Sequence, residues 1–187
     1  MDAHRLTYVL LDTTFGMFAI VWRRADSGVK VQRVLLPTAT TDVEHRIGQY
    51  YPTASPGTCP TIADLCDRIR AFLRGQDVAF DLQQVNLDLC SKFQKRVLLA
   101  EHVIPRGWVT TYGRIARYLC APGAARAVGR ALAHNPFPII IPCHRAIRTD
   151  GQLGGFQGGE EMKRRLLELE GVQVSPTGRV STPNLYY

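Results

Sequence analysis

A thiol, an imidazole and a guanidinium stand side by side at Cys143, His144 and Arg145. A cysteine between such groups is a candidate nucleophile. The attacking species is the thiolate, and a neighbouring base or positive charge makes it available near neutral pH. The three follow the apolar run Ile139 to Ile141, which reads as buried. Pro136, Pro138 and Pro142 fix φ and remove donors around that run, so its backbone is stiff and neither ordinary helix nor open sheet. The competing reading of Cys143 is a small, inert core thiol. Its polar neighbours weigh against that, as do Gly151, Gly154, Gly155, Gly158 and Gly159, which let a backbone or a ligand come close. Successive residues of an extended chain point to opposite faces, so His144 needs a third group to orient it. Glu170 falls in the last turn of a helix read over residues 160–170, where a carboxylate meets the negative end of the dipole. That placement points to a partner such as an imidazole. Gly171 ends the helix.

The elements that must hold these residues form the second half of the chain. Ser91 is a plausible N-cap for a helix that turns Phe93, Val97, Leu98 and Val103 inward, and Pro105-Arg106-Gly107 ends it. Thr110 or Thr111 caps the next helix, Tyr112 to Leu119. Cys120-Ala121-Pro122-Gly123 is a tight break before a third helix, Ala124 to His134. Two short helices joined by a Gly-containing turn read as a helix-turn-helix. The third helix is small-sided, with Ala124, Ala125, Ala127, Gly129, Ala131 and Ala133. Such a helix can enter a groove closely or pack tightly on another helix. Arg126 and Arg130 share one face at i,i+4, placed for phosphates or for a wedge into a duplex. The Gly154 to Gly159 loop could cradle phosphate, but nothing around it supports a nucleotide-binding fold.

Charge separates the two halves. Residues 1–87 hold 9 Lys/Arg and 9 Asp/Glu, whereas residues 88–187 hold 14 and 7, which places the whole net charge of +7 in the second half. A polyanion, with nucleic acid the first candidate, is the partner that such asymmetry suggests.

The first half reads as an antiparallel meander. Its strands are Leu6 to Leu11, Phe15 to Trp22 and Val29 to Leu36, with turns at Asp12-Thr13-Thr14 and Asp26-Ser27-Gly28. A short helix over Thr41 to Tyr50, capped by Thr40 or Thr41, is followed by a loop from Pro52 to Pro60. A second helix, Thr61 to Leu73, turns Ile62, Leu65, Cys66, Ile69, Phe72 and Leu73 to one side and stops at Gly75. The expected organisation is an N-terminal α/β domain over residues 1–87, a DNA-binding and catalytic domain over 88–171, and an appended tail over 172–187.

Composition excludes several classes. The 45% apolar share suits a soluble globular protein, and no apolar run approaches the ~20 residues of a membrane span. Met1 to Arg5 lack the pattern of a secretory leader. Five cysteines, at 59, 66, 90, 120 and 143, have no CxxC spacing, which argues against a disulfide scaffold or a zinc ribbon and for a reducing compartment.

From Ser91 to Gly171 the sequence resembles the O(6)-alkylguanine-DNA alkyltransferases, also called methylated-DNA–protein-cysteine methyltransferases. The matching elements, in order, are Phe93-Gln94, Thr111-Tyr112-Gly113, Ala125-Arg126-Ala127-Val128-Gly129, Asn135-Pro136, Pro142-Cys143-His144-Arg145, Gly158-Gly159 and Lys163 through Glu170-Gly171. The Pro-Cys-His-Arg quartet alone is weak, but the ordered set is specific.

The resemblance implies an α+β fold. Its N-terminal half is a ribonuclease H-like domain with a three-stranded antiparallel sheet, and its C-terminal half is mainly helical with a helix-turn-helix. It further implies that Cys143 takes an alkyl group from O(6) of guanine, and also from O(4) of thymine, in double-stranded DNA, irreversibly and once per molecule. Glu170 and His144, through a water, would deprotonate Cys143, and Asn135 would be a hinge. Tyr112 would press on a phosphate and donate to the base. Arg126 would fill the gap left by the flipped nucleotide. Thr111, Ala125, Ala127, Gly129 and Arg130 would join Tyr112 and Arg126 on the DNA, while Val128, Pro138, Phe156, Gln157 and Gly158 would line the pocket.

Phe156 and Gln157 depart from the family, which often carries Tyr and a small hydroxyl residue there. No cofactor is expected. No metal is expected either, because Cys59 and Cys66 form no obvious quartet with His4 and His45. The expected protein is a monomer in solution, with cooperativity on DNA open. It would be cytoplasmic, or nuclear if its source is eukaryotic. Two other readings compete with alkyl transfer. One is a non-catalytic lesion sensor or helix-turn-helix regulator with an idle Cys143. The other is a thiol hydrolase, which leaves the basic half unexplained.

Overall fold

Thr13 turns the chain. Its hydroxyl donates to Gly16 O (2.7 Å) and accepts from Phe15 N (3.1 Å), and Gly16 closes the turn at φ +100°, where a side chain is disfavoured. The reversal is thus Thr14-Phe15, later than the expected Asp12-Thr13-Thr14. In this computed structural model, which describes residues 5–26, 28–38 and 40–187, it joins β1 (Thr7–Thr13) to β2 (Gly16–Ala25). The expected N-terminal reading over Met1 to His4, and Ser27 of the second turn, lie outside the described residues. An antiparallel β3 (Gly28–Leu35) follows, with a register shift at Val21/Trp22.

The first helix, α1 (Val43–Tyr50), starts later than expected because Asp42, not Thr40 or Thr41, occupies the N-cap. The loop after it contains β4 (Ser55–Pro56), which runs parallel beside β1. The sheet therefore has four strands, in the order β3-β2-β1-β4, where three were expected. Two residues in a Pro-rich stretch carry no strand periodicity, and an edge tolerates Pro. Pro60 opens α2 (Pro60–Leu73), whose predicted apolar face is buried throughout. Cys66 belongs to that face, and burial pushes its thiol up to about 11.

A 3₁₀ turn at Leu87–Leu89 precedes α3 (Lys92–His102), whose cap Ser91 accepts from Gln94 N at 3.2 Å. This helix buries Val97, Leu98, Ala100 and, unexpectedly, Glu101. Val103 was expected inward but lies past the helix end and is 52% exposed, and Ile104 is buried instead. Next come β5 (Thr110–Thr111), α4 (Tyr112–Tyr118) and α5 (Ala125–Ala133), with Thr111 Oγ1 accepting from Arg114 N at 3.2 Å as the cap of α4. β6 (Ala146–Ile147) pairs in parallel with β5, which brings the segment after Arg145 beside the residues that lead into Tyr112. The chain ends with α6 (Gly159–Leu169), β7 (Gln173–Val174) and β8 (Val180–Ser181).

The fold is mixed α+β and divides into two compact units. One runs to Leu89 and takes back Pro136–Ile140. The other comprises Cys90–Asn135 and Ile141–Tyr187. Two corrections to the expected boundaries follow. Residues 136–140 leave the second domain because Val34 N, on β3, donates to Pro136 O at 2.8 Å. Residues 172–187 are no loose tail. Val172 and Val180 join Val109, Ile147, Leu153 and Leu167 in one apolar core, and Tyr186 N donates to Val109 O at 2.8 Å.

Candidate active site

Ile139 sits at φ +74°, an outlier for a β-branched residue that costs on the order of 1–3 kcal/mol. Four residues on, the chain tightens into a 3₁₀ turn, Cys143–Arg145, with Cys143 N bonded to Ile141 O (2.8 Å) and Arg145 N to Pro142 O (2.9 Å). Cys143 is 5% exposed. Buried Asn135 donates Nδ2 to Ile141 O at 3.0 Å and hydrogen-bonds the sulfur, so it braces the turn and the thiol together. Burial pushes the thiol up to about 12, against the stabilising Asn135 bond. The resting sulfur is therefore protonated at neutral pH.

Glu170 caps the C-terminus of α6 and is buried. His144 Nε2 lies 2.9 Å from its Oε1, and Arg145 closes on the same carboxylate with Nε at 2.9 Å from Oε2 and Nη2 at 2.7 Å from Oε1. The third Arg145 nitrogen, Nη1, donates to Ile104 O. Burial alone would raise Glu170, but the imidazole and the guanidinium outweigh it and hold the carboxyl down at about 2. For His144 burial wins over the carboxylate, and its pKa is lowered. The imidazole is therefore neutral beside a fixed carboxylate. Its Nε2 carries the proton, assigned from the partner it meets, which leaves Nδ1 as the basic nitrogen.

Two further ionisable side chains are buried in the same unit. Lys163, on α6, donates Nζ to Ala146 O at 2.6 Å and stands 6.0 Å from the centre of the Tyr112 ring. Glu101, on α3, is fully buried. Tyr112 heads α4, half-buried. A Cβ on Gly154 would lie 2.7 Å from its hydroxyl, so that glycine, at φ +73°, leaves the phenol its place. Burial raises Tyr112 to about 12, helped by Glu101 and Cys143, so it stays a hydrogen-bond donor.

An open cavity of about 520 Å³ lies over α5, lined by Tyr112, Ala125, Arg126, Gly129, Arg148, Thr149 and Asp150. Arg126, Ala127 and Arg130 are exposed on α5, while Thr111 is buried at its capping position. The residues expected to line a substrate pocket take the following places. Val128 is in the core, and Pro138 is buried within the other unit's residues. Phe156 meets the His144 ring edge-on at 6.4 Å, Gln157 Nε2 donates to Asn135 O at 2.7 Å, and Gly158 caps α6 under Met162. None of these five lines the α5 cavity.

Comparison with known proteins gives this geometry a family. Residues 92–172 match the family described as 6-O-methylguanine DNA methyltransferase, DNA binding domain. The methylated-DNA–protein-cysteine methyltransferase of Mycobacterium bovis is 47% identical over 119 residues, which cover 63% of this chain and 68% of that protein. The chain belongs to the methylated-DNA–protein-cysteine methyltransferases. The methyltransferase of the same name from Methanothermobacter thermautotrophicus is 49% identical over 113 residues, 60% of this chain and 63% of that relative's length. The crystal structure of the Mycobacterium tuberculosis O6-methylguanine methyltransferase matches with a TM-score of 0.70 at 33% identity, covering 88% of this chain and 92% of that one. The M. tuberculosis protein solved in complex with DNA matches with a TM-score of 0.69 at 34% identity, over the same shares.

Within this member of the methyltransferase family, the sequence reading missed several residues of the site. In the sequence Arg145 is only a neighbour of the thiol, yet it forks onto Glu170. Lys163 matched the family pattern without a role, and a charge on the inner face of α3 had no signal beyond its place next to Ala100. Arg148, Thr149 and Asp150 form one wall of the α5 cavity.

Proposed function

We propose that this protein repairs O(6)-alkylguanine in double-stranded DNA by moving the alkyl group onto Cys143. The sulfur's electron pair forms the new C–S bond, the C–O(6) bond breaks, and its electrons return to the purine. His144, held by Glu170 with Nε2 protonated, takes the thiol proton at Nδ1, directly or through a water. Tyr112 donates to the leaving base, which ends as guanine. The thioether is stable, so each molecule acts once.

The reacting carbon is out of reach inside a stacked duplex. The nucleotide therefore turns out at a cost of a few kcal/mol, part of which Arg126 recovers by filling the gap. O(4)-alkylthymine offers the same kind of leaving oxygen. The partner is duplex DNA, met by the exposed arginines of α5, in the cytoplasm or in a eukaryotic nucleus.

The observation that carries this reading is the 2.9 Å contact between His144 and the ionised Glu170 beside a buried Cys143. Intact-protein mass after incubation with O(6)-methylguanine duplex tests it. A gain of one methyl that Cys143→Ser abolishes supports transfer. Duplex binding with no change in mass would make the protein a lesion sensor instead.

A further inference from the structure

Helix α5 ends without the means to close itself. The last carbonyls of a helix need donors, which a glycine past its end normally supplies by curling the chain back. Here the C-cap His134 is followed by Asn135 and Pro136. Proline has no N–H, and it holds the residue before it away from helical backbone. Two glutamines supply what the main chain lacks. Gln94 stands in the first turn of α3, where its own N–H is bonded to the Ser91 cap. Its Nε2 donates one hydrogen to Ala131 O at 3.1 Å and the other to His134 O at 3.0 Å. Gln157 donates Nε2 to the next carbonyl along, Asn135 O, at 2.7 Å. All three partners are carbonyls, which sets the orientation of both amides.

A helix cap accounts for the bond to Ala131 O and for nothing beyond it. The other two bonds grip consecutive peptides, after His134 and after Asn135, from two distant stretches of the chain. Holding a long glutamine side chain in one geometry costs conformational entropy, twice over here. Asn135 lies between the two grips and is fully buried. Its side chain holds Ile141 O at 3.0 Å and the Cys143 sulfur. Gln157 belongs to a loop whose ends, Gly154 and Gly159, both take positive φ, and its neighbour Phe156 meets the His144 ring edge-on. The loop therefore reaches the nucleophile through Asn135 and the base through Phe156.

We propose that Gln94 and Gln157 are positioning residues for Cys143, clamping the peptides that follow His134 and Asn135 so that the Asn135 amide stays on the sulfur while the thiolate forms. The clamp acts through Asn135 and not on the sulfur itself. A hydrogen bond to a group that becomes charged is worth about tenfold or more in rate.

The inference rests on the alkyl-transfer reading. It is tested by single-turnover transfer from O(6)-methylguanine duplex, together with hydrogen exchange on the free protein. Gln157→Met and Gln94→Met keep the side-chain length and remove the donor. Each should lower the rate constant at saturating duplex by about tenfold and leave the half-saturating duplex concentration within about twofold of wild type. Without DNA, each should speed exchange of the Cys143 and Arg145 amides, whose bonds form the 3₁₀ turn and which neither glutamine contacts. In Asn135→Ala, where the brace is already gone, adding either change should alter the rate constant by less than about twofold. A rate constant near wild type in both single variants, or unchanged exchange at the turn, would overturn the proposal. So would a loss confined to the half-saturating concentration, or one that persists in full on Asn135→Ala. Should Asn135→Ala not fold, exchange at the turn in Gln157→Met decides alone. A wild type that gains no methyl, while its turn amides still respond to Gln157→Met, would instead overturn the function proposed above.

Discussion

Replacing Glu170 with Gln tests the centre of the site, because it removes one charge and keeps the shape. The carboxylate accepts from His144 at 2.9 Å and from Arg145 at 2.9 and 2.7 Å. An amide can accept on one side only, so part of the fork is lost and a buried guanidinium is left without its counter-ion. Breaking a buried pair from one side costs about 3–5 kcal/mol. For a chain of this size, about 2–4 °C is lost per kcal/mol, so the melting temperature should fall by roughly 6–20 °C. The second consequence is kinetic. Without a carboxylate to accept from Nε2, the imidazole no longer holds its basic nitrogen at Nδ1, and loss of a positioned base lowers rates by about 10²–10⁴-fold. Two measurements separate the effects: calorimetric melting, and single-turnover transfer from methylated duplex at a temperature where the variant is fully folded. Arg145→Lys is the control. It breaks the fork but leaves the His144 contact, so it should melt early and react within about tenfold of wild type. If Glu170→Gln folds and reacts within about threefold of wild type, the relay is not what activates Cys143. If Arg145→Lys loses as much rate as Glu170→Gln, the carboxylate acts through the guanidinium and not through His144.

Other outcomes follow from single features. Arg126→Ala, on the exposed face of α5, should slow repair of duplex DNA by at least tenfold more than reaction with a free alkylguanine base; equal losses on both would remove the wedge role. Gly154→Ala puts a methyl 2.7 Å from the Tyr112 hydroxyl at φ +73°, so it should cost about 1–3 kcal/mol of stability and lower the transfer rate, checked by denaturant melts and single-turnover kinetics. Glu170, lowered from 4.5 to about 2, gives stability that is complete above pH 4.5 and lost as pH falls through 2. The loss amounts to about 3 kcal/mol. Glu170→Gln should flatten that acid limb in urea melts taken from pH 6 to 2. Binding to undamaged duplex should weaken as salt rises, and less steeply in Arg126→Ala, as read by fluorescence anisotropy.

How legible the molecule was depends on what each residue's signal was. Helix α2 was readable because six apolar residues recur at helical spacing and Gly75 stops it. The caps Ser91 and Thr111 were readable because a hydroxyl just before an apolar-periodic run has a local function, and both accept the bonds expected of a cap. Glu170 was readable by its misfit, since a carboxylate at the negative end of a helix needs compensation. Strand β4 was not, because two residues have no periodicity and are ordered only by their neighbour β1. Nor was the exchange of residues 136–140 into the other unit, which is fixed by a long-range bond to Val34. The folding-in of residues 172–187 was hidden for the same reason. Its main-chain partners, Val109 and Gly151, are far away in sequence. Glu101 was the deepest omission. A charged residue on a helix is read as solvent-facing unless something marks its surroundings as closed, and only tertiary packing does so here.

A thiol raised to about 12 looks like a poor nucleophile, since at pH 7 only about 10⁻⁵ of it is ionised. Reactivity, however, is the product of ionised fraction and intrinsic strength, and a thiolate of high pKa attacks more strongly. Lowering the pKa would raise the fraction and weaken the attack. It would also leave the sulfur open to oxidants and stray electrophiles at all times. That trade suits an enzyme that turns over, but not a sulfur that, on the function proposed above, reacts only once. In this protein burial keeps the resting sulfur protonated against the Asn135 bond, while the base that can take its proton is held ready by Glu170 and a buried cation stands at Lys163. On the function proposed above, ionisation is deferred to the moment when an electrophilic carbon occupies the site and proton loss is coupled to bond formation. The high pKa works as protection between encounters, and the charged groups around the sulfur matter for how far they lower the barrier during one.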